Sequence, residues 1–438
     1  MQKNDKKVTT AWCMYDWANS VYSLVITSTI FPIYYGAVTR KEDGTDLVNF
    51  FGFGAPASVI YSYALSGAFL FIALLSPFLT AISDYSGRKK LFLQIFCYLG
   101  SASCAGLFFF TAETYSFSVI LFMLATIGFS GSIVFYNAYL PEIATEDQFD
   151  KLSAKGFSFG YIGSVILLVL SLVMVLKPEL FGITSASLPA RLSFLLTGIW
   201  WAGFAQIAFR KLPQNPYHKK PEGSYIFNGV KELRKVLREV QHLPNLKKFL
   251  GAFFFYNMGV QTVMYVATLF GDKELRLPAS SLITTILILQ LIAIGGSYFF
   301  AWLSSKLGNI KALSVAVVIW IFVCAGAYFV RGEFDFYALA AVVGLVMGGI
   351  QALSRATYSK LLPETTDHAS YFSFYDVTEK ISIVLGTAAY GLVEQLTGSM
   401  RNSVLFLVCF FVLGLVLLLR VKKRSVTEPL PEQEPSLA

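Results

Sequence analysis

Long uncharged apolar runs return again and again along this chain, and they decide what it can fold into. One of them, VYSLVITSTIFPIYYGAV from Val21, carries no charge at all. A run of about 20 apolar residues crosses a hydrocarbon core of roughly 30 Å as a helix, because only a helix bonds its own backbone groups there. Twelve such segments can be read, at 11–38, 57–82, 90–111, 117–140, 157–177, 191–209, 249–271, 280–303, 311–330, 336–358, 381–397 and 402–420, the eleventh being the shortest. Only 14% of the 438 residues are charged and 55% are hydrophobic, whereas a soluble chain is nearer a quarter charged. The reading is an all-α membrane protein of twelve transmembrane helices.

Charge then orients the chain. Twelve crossings place both termini on one side. Of the 35 Lys and Arg, 27 fall at the termini and in the even-numbered loops and 8 in the odd-numbered loops. Basic residues gather on the cytoplasmic side, so both termini are expected in the cytoplasm, as in a bacterial inner membrane. The net charge of +8 is thus a topology signal. Its spread over separate loops argues against nucleic acid as a partner. The first apolar run lacks the small-residue cleavage site of a secretory signal. The five cysteines are odd in number, lie in or beside apolar segments, and suit buried hydrophobes better than disulfides.

The chain also repeats itself. The basic stretch 210–248 separates six spans from six and holds one amphipathic helix, about Tyr225 to His242, with Val230, Leu233, Val236, Leu237 and Val240 on its apolar face. AISDYSGRKKL at 81–91 corresponds to WLSSKLGNIKAL at 302–313, with Gly87 and Gly308 221 residues apart; YLPE at 139–142 and LLPE at 361–364 are 222 apart. The expected division is a six-helix bundle over 1–209, a linker over 210–248, a second six-helix bundle over 249–424, and a disordered tail over 425–438. The first span aligns with the seventh as well: YDWANS at 15–20 meets YNMGVQ at 256–261. Asp16, Ser20, Ser23 and Thr27 fall on one helical face, and Asn257, Gln261, Met264 and Thr268 are their counterparts. A polar stripe at the same place in both halves is the expected lining of a path between them.

SDYSGRKK, between the second and third spans, resembles the major facilitator superfamily signature G-x-L-a-D-r-x-G-r-k through Asp84, Gly87, Arg88 and Lys89, with Thr80 or Ala81 at the leading glycine and Tyr85 at the first arginine. YDWANSVYSLVITSTIFPIYY, FYNAYLPEIAT, SAKGFSFGYIGS, YNMGVQTVMYVATLFG and GGIQALSRATYSKLLPE together resemble the unknown-major-facilitator family, bacterial relatives of the fungal autophagy-linked vacuolar effluxers. The resemblance implies the major facilitator fold and a secondary transporter. Amino-acid efflux in the fungal relatives makes an amino-acid-like solute the leading expectation. The usual arginine of the fourth span is missing. The fifth span carries Gly156, Gly160 and Gly163 without the Gly-Pro antiporter pattern.

The expected solute and coupling residues are Asp16, Asn19, Ser20, Ser23, Thr27, Tyr256, Asn257, Gln261, Gln351 and Arg355. The expected gate is Asp84, Gly87, Arg88, Lys89, Glu142, Glu364, Lys155 and Lys380. Asp84 is placed beside the N-terminus of the eleventh span, near Lys380, where the positive helix end favours a carboxylate. Glu142 and Glu364 are either helix-end carboxylates or gate residues. Lys155 and Lys380, read as beginning the fifth and eleventh spans, are interface anchors or gate partners. Arg355 either snorkels or meets a partner on a facing helix. Gln290 and Gln351 serve helix contacts or the solute. Asp16 is either a buried structural carboxylate or the binder of a proton or a solute amino group. Its counterpart Asn257 is neutral, so one half alone carries the titratable group.

These features point to a monomeric transporter in the lipid bilayer that moves a small solute by alternating access, with a proton or sodium as coupling ion. No cofactor, metal or catalytic set is expected. His218, His242 and His368 are assigned to loops, and no phosphate-binding loop is present. A transporter-like sensor or a multi-span membrane enzyme is the alternative.

Overall fold

In the computed structural model, which describes residues 2–40, 47–214 and 224–422, the chain is almost wholly helical. The elements are α1 (Lys6–Val21), α2 (Ile30–Thr39), β1 (Leu47–Phe50), β2 (Phe53–Pro56), α3 (Ala57–Ser86), α4 (Lys89–Gly106), α5 (Tyr115–Asn137) and the short α6 (Leu140–Ile143). They continue with α7 (Phe149–Leu176), α8 (Leu188–Lys211), α9 (Tyr225–Gln241), α10 (Pro244–Lys273), α11 (Ala279–Leu307), α12 (Asn309–Ala327), α13 (Glu333–Leu361), α14 (His368–Thr397) and α15 (Met400–Leu418). Among the described residues, eleven helical segments are long and apolar enough to cross a membrane.

The remaining crossing, by its place in the chain, is α14. The sequence reading starts it at 381, yet the helix begins at His368 and runs for 30 residues. Asp376, Glu379 and Lys380 interrupt the apolar run and hide its first three turns from a hydropathy criterion, although these charges sit on one face inside the protein. The tail 425–438 and His218 lie outside the described residues. His368 opens α14 instead of lying in a loop.

The first crossing is broken in the middle. After α1 the chain widens into a π-helical stretch, Tyr22–Thr27, and turns at Ser28–Thr29 before α2. Pro32, in the first turn of α2, has no N–H to offer the Ser28 carbonyl. Ser28 Oγ donates to the Ser23 carbonyl at 2.8 Å, and Ser23 Oγ to that of Ser20 at 2.9 Å, so hydroxyls take over loosened backbone acceptors.

The loop between the first two crossings holds a hairpin that the all-helical expectation did not include. β1 and β2 pair antiparallel, with Phe50 opposite Phe53. Phe51 and Gly52 turn the chain with φ of 48° and 92°, the sign that a two-residue hairpin requires at both positions.

Close helix approaches build each half. α4 and α5 meet at Gly100 and Gly128, where a Cβ on Gly128 would lie 2.4 Å from the Gly100 Cα. α11 and α13 meet at Gly344 and Gly348, whose Cβ atoms would lie 2.4 Å and 2.2 Å from the Leu289 and Ala293 carbonyl oxygens. The glycines aligned by the internal repeat share a backbone feature as well: Gly87 and Gly308 follow α3 and α11 with φ of 67° and 84°.

The halves face each other through α3 against α14 and through α7 against α11 and α13. The first and last described residues lie at one end of this assembly. The Asn4 N–H donates to the Ile143 carbonyl at 2.8 Å and Lys3 Nζ to that of Pro141 at 2.9 Å. Asn4 and Thr145 exchange two further bonds, of 2.7 and 3.0 Å. Lys422, the last described residue, donates its N–H to Asn245 Oδ1 at 3.3 Å.

Candidate functional site

A cavity of about 230 Å³ lies between the halves. α1, α5 and α7 line it from one side and α10, α13 and α14 from the other, with Phe69 of α3 and Gln290 of α11 at its margins. Of the expected solute residues, Asp16, Ser20, Ser23, Tyr256, Asn257, Gln261, Gln351 and Arg355 line it. Asn19 and Thr27 do not. Asn19 is fully buried in the α1 core and accepts from Ser20 Oγ at 3.5 Å. Thr27 leaves the stripe because the π turn before it breaks the α-helical spacing that would have put it on the Asp16 face.

Asp16 and Arg355 pair across the cavity, one from each half. Arg355 Nη1 and Nη2 lie 3.3 and 3.4 Å from Asp16 Oδ2, and the Tyr136 hydroxyl donates to the same oxygen at 2.6 Å. The guanidinium also donates from Nε to Ser153 Oγ and from Nη2 to the Ser153 carbonyl, both at 2.9 Å, and from Nη1 to Asn137 Oδ1 at 3.2 Å. It lies over the rings of Phe157, Trp12 and Tyr136, at 4.2, 4.7 and 5.4 Å from their centroids. The fixed fork of an arginine satisfies all these partners at once, which a lysine cannot do. Asp16 and Arg355 are 5% and 2% exposed, so each is the chief compensation for burying the other. The three glycines noted in the fifth span make room: a Cβ on Gly156 would lie 2.5 Å from Asp16 Oδ2, and one on Gly160 2.4 Å from Ser20 Oγ.

A second ionic group lies on α14, with Lys380 and Glu379 lining the cavity and Asp376 buried beside them. Lys380 Nζ lies 3.1 Å from Asp376 Oδ1 and 3.7 Å from Glu379 Oε2. The Asp376 contact is an ion pair without hydrogen-bond alignment, so both Asp376 oxygens lack a donor. Glu379 accepts from Gln261 Nε2 at 3.2 Å, and Asn257 Nδ2 donates to Ser382 Oγ at 2.6 Å. This group corrects the place expected for Lys380, which sits three turns inside α14, away from Asp84. Asp376 and Glu379 were missed because the span was started too late. The signal was present in their spacing with Lys380 and Ile383, at i, i+3, i+4 and i+7, a single helical face.

The residues expected around Asp84 cluster at the end that carries the N-terminal residues. Asp84 accepts from the N–H groups of Ala369 and Ser370, at 3.3 and 2.6 Å, at the start of α14. This is the favourable charge at a positive helix end. Gly87 closes α3 in the left-handed conformation with its N–H on the Asp84 carbonyl at 3.3 Å, and the Arg88 N–H bonds the Ser83 carbonyl at 3.1 Å. Lys89 forms a buried ion pair with Glu142 and lies 4.0 Å from Asp84, while His368 Nδ1 lies 3.5 Å from Glu142. Glu364 is exposed and takes no part. Lys155, two turns into α7 because that helix starts at Phe149, donates to Thr10 at 3.1 Å within its own half instead of reaching across.

A matching cluster on the other seam was not anticipated. Asp150 in the first turn of α7 accepts from Asn309 Nδ2 at 2.6 Å, from Ser304 Oγ at 2.8 Å and from Lys360 Nζ at 2.8 Å. Both seams are thus closed by a carboxylate of the first half bonded to groups of the second. α9 spans the same end: Asn228 donates to the Tyr85 hydroxyl at 2.8 Å, Lys235 meets Asp367 at 3.0 Å and Glu232 at 2.9 Å, and the Tyr371 hydroxyl donates to Glu239 at 2.8 Å. Burial disfavours the Lys235 ammonium, but its two carboxylate partners outweigh it and raise the pKa above the usual lysine value.

Residues 4–428 match the family model described as "Vacuole effluxer Atg22 like". The chain belongs to the Atg22-like family. Among its members it is 34% identical to the uncharacterized MFS-type transporter YxiO of Bacillus subtilis, over 99% of each chain. It is 22% identical to autophagy-related protein 22 of Pyricularia oryzae, over 92% of this chain and 74% of that one. Two solved structures share the Atg22-like chain's fold. The transporter FucP in its outward conformation gives a TM-score of 0.70 at 13% identity, covering 95% of this chain and 99% of FucP. The proton:xylose symporter XylE gives 0.71 at 13%, covering 95% of each. This Atg22-like protein is therefore an integral multi-pass membrane protein of the major facilitator fold, an all-α bundle of two six-helix halves, and its relatives are transporters.

Proposed function

We propose that the protein is a secondary active transporter that moves a small polar, amino-acid-like solute through the central cavity by alternating access. The observation that carries this reading is the Asp16–Arg355 pair, which joins the halves across the cavity itself. A zwitterion brings one ammonium and one carboxylate, the two groups needed to take over such a pair. The volume of about 230 Å³ falls below the roughly 300–1,000 Å³ of drug-sized sites, which favours a small solute. The family's description as vacuole effluxers favours efflux as the direction.

On this reading 1–209 and 249–424 rock as two bodies joined by 210–248. The end that carries the termini faces the cytoplasm and is shut. Asp16, released from Arg355 when solute enters, takes up the coupling proton. The test is uptake and counterflow of labelled amino acids in proteoliposomes with and without an imposed proton gradient. Gradient-driven accumulation is expected, and its absence for every amino acid refutes the reading. Asp16→Asn is expected to retain exchange and lose accumulation. Full accumulation by that variant removes Asp16 from coupling.

A further inference from the structure

Four charged residues line the cavity, Asp16, Arg355, Glu379 and Lys380, and the buried Asp376 beside Lys380 adds a fifth charge, so the set does not cancel in pairs. Asp16 has Arg355 and Asp376 has Lys380, each pair 3.3 Å or closer. Glu379 is the third carboxylate. Its nearest cation, Lys380, lies 3.7 Å away and is already matched to Asp376, and its one hydrogen bond comes from the neutral Gln261 amide. Glu379 is 11 residues into α14, about 16 Å from the helix start at the usual rise, and its side chain, 22% exposed, is open toward the cavity it lines. A carboxylate at that depth calls for a partner of opposite charge.

Two independent features indicate what that partner is. The first is aromatic. Phe253, Tyr256, Tyr265 and Tyr375 of the second half line the cavity beside Glu379, and both cations already in the site rest on rings of the first half: Arg355 on Phe157 and Lys380 on Phe69, 5.8 Å from its centroid. Ring faces attract cations most strongly where water is excluded. The second is a pair of polar oxygens free to accept. Ser130 Oγ, in a residue 1% exposed, and Gln290 Oε1 both line the cavity without a partner. An N–H-rich group would use them, along with Glu379.

We infer that the solute carries a net positive charge, as an ammonium or guanidinium held by Glu379 against the cavity's aromatic faces. This rests on the transporter reading above and narrows it from zwitterions to basic amino acids. Such a solute brings two cationic groups and one carboxylate. Glu379 takes the extra cation, and the Asp16–Arg355 pair is left for the zwitterionic end.

The experiment compares solutes that differ in charge and little else. Binding of arginine against citrulline, and of lysine against norleucine, is titrated calorimetrically on the purified full-length protein at pH 7 and repeated with Glu379→Gln. Arginine and lysine are expected to bind about tenfold tighter or better than their uncharged counterparts, and Glu379→Gln is expected to abolish that preference. Equal binding of the uncharged members overturns the inference, as does a preference that survives in the variant. So does norleucine binding with uptake of one proton, which would make Glu379 a proton site. If Glu379→Gln does not fold, the wild-type preference decides alone. Counterflow in proteoliposomes separates the two readings. Exchange of norleucine or citrulline but not of lysine or arginine leaves the transporter standing and removes the positive charge. Absence of both binding and exchange for all four overturns the positive charge, and the transporter reading then falls only if every other amino acid fails as well.

Discussion

At the scale of single residues, the site depends on what one position leaves room for. Gly156 lets α1 and α7 approach closely enough for Asp16 and Arg355 to meet, and its Cβ would also fall 3.0 Å from Arg355 Nη2 and 3.1 Å from Trp12. Gly156→Ala is expected to cost about 1–3 kcal/mol as overpacking and to abolish accumulation. The control is Gly203→Ala in α8, where nothing lies within 4 Å of the added carbon. That change is expected to be neutral or slightly stabilising in a helix interior. Thermal unfolding of the two variants in detergent compares them directly, and equal melting temperatures would show that the α1–α7 approach is slack. Removing one member of the buried pair leaves the other uncompensated, so Arg355→Gln alone is expected to cost about 3–5 kcal/mol. Asp16→Asn combined with Arg355→Gln is expected to be more stable than Arg355→Gln alone. Additive losses in that double-mutant cycle would mean that the two do not hold each other.

At the scale of elements, the lesson lies in α14. Its face at Tyr375, Glu379 and Ile383 lines the cavity, while Leu385 and Leu392, 46% and 56% exposed, lie on the bundle's outside. Single cysteines at the first three positions are expected to react with a small water-soluble thiol reagent and to be protected by solute, and those at the last two to stay unreactive. The background needs Cys409 replaced, since it is exposed while the other four cysteines are buried. Labelling at Leu385 equal to that at Glu379 would refute this orientation. Hydropathy made most crossings readable, because lipid-facing residues have no alternative to being apolar. It failed where a helix turns its charges inward, as at Asp376, Glu379 and Lys380. The polar stripe of the first crossing was legible as far as Ser23 and was lost at Thr27, because a π turn leaves no mark in a periodicity count. Asp150 was passed over for a different reason. Its partners Ser304, Asn309 and Lys360 are more than 150 residues away in sequence, and only the fold brings them together.

At the scale of the whole molecule, two carboxylates of the first half bond the second half at the same end, Asp84 on the start of α14 and Asp150 on α11, α12 and α13. Asp84→Asn and Asp150→Asn are each expected to shift the population toward opening at that end, and the double variant further than either. Distances between spin labels on the ends of α3 and α14, and of α7 and α11, report the shift. An unchanged distribution in the double variant would show that the end is shut by packing alone. Cysteine labelling in intact cells fixes which side that end faces, and the 210–248 segment is expected to be shielded from outside. The N-terminal residues have a practical bearing on every one of these measurements. Lys3 and Asn4 clasp the α6 turn next to Glu142, the partner of Lys89. An affinity tag fused directly before them would pull on the closed end, whereas one attached after Lys422 would leave that clasp alone. Purification handles for conformational work therefore belong at the C-terminus, and an N-terminally tagged preparation is expected to report an end that opens too easily.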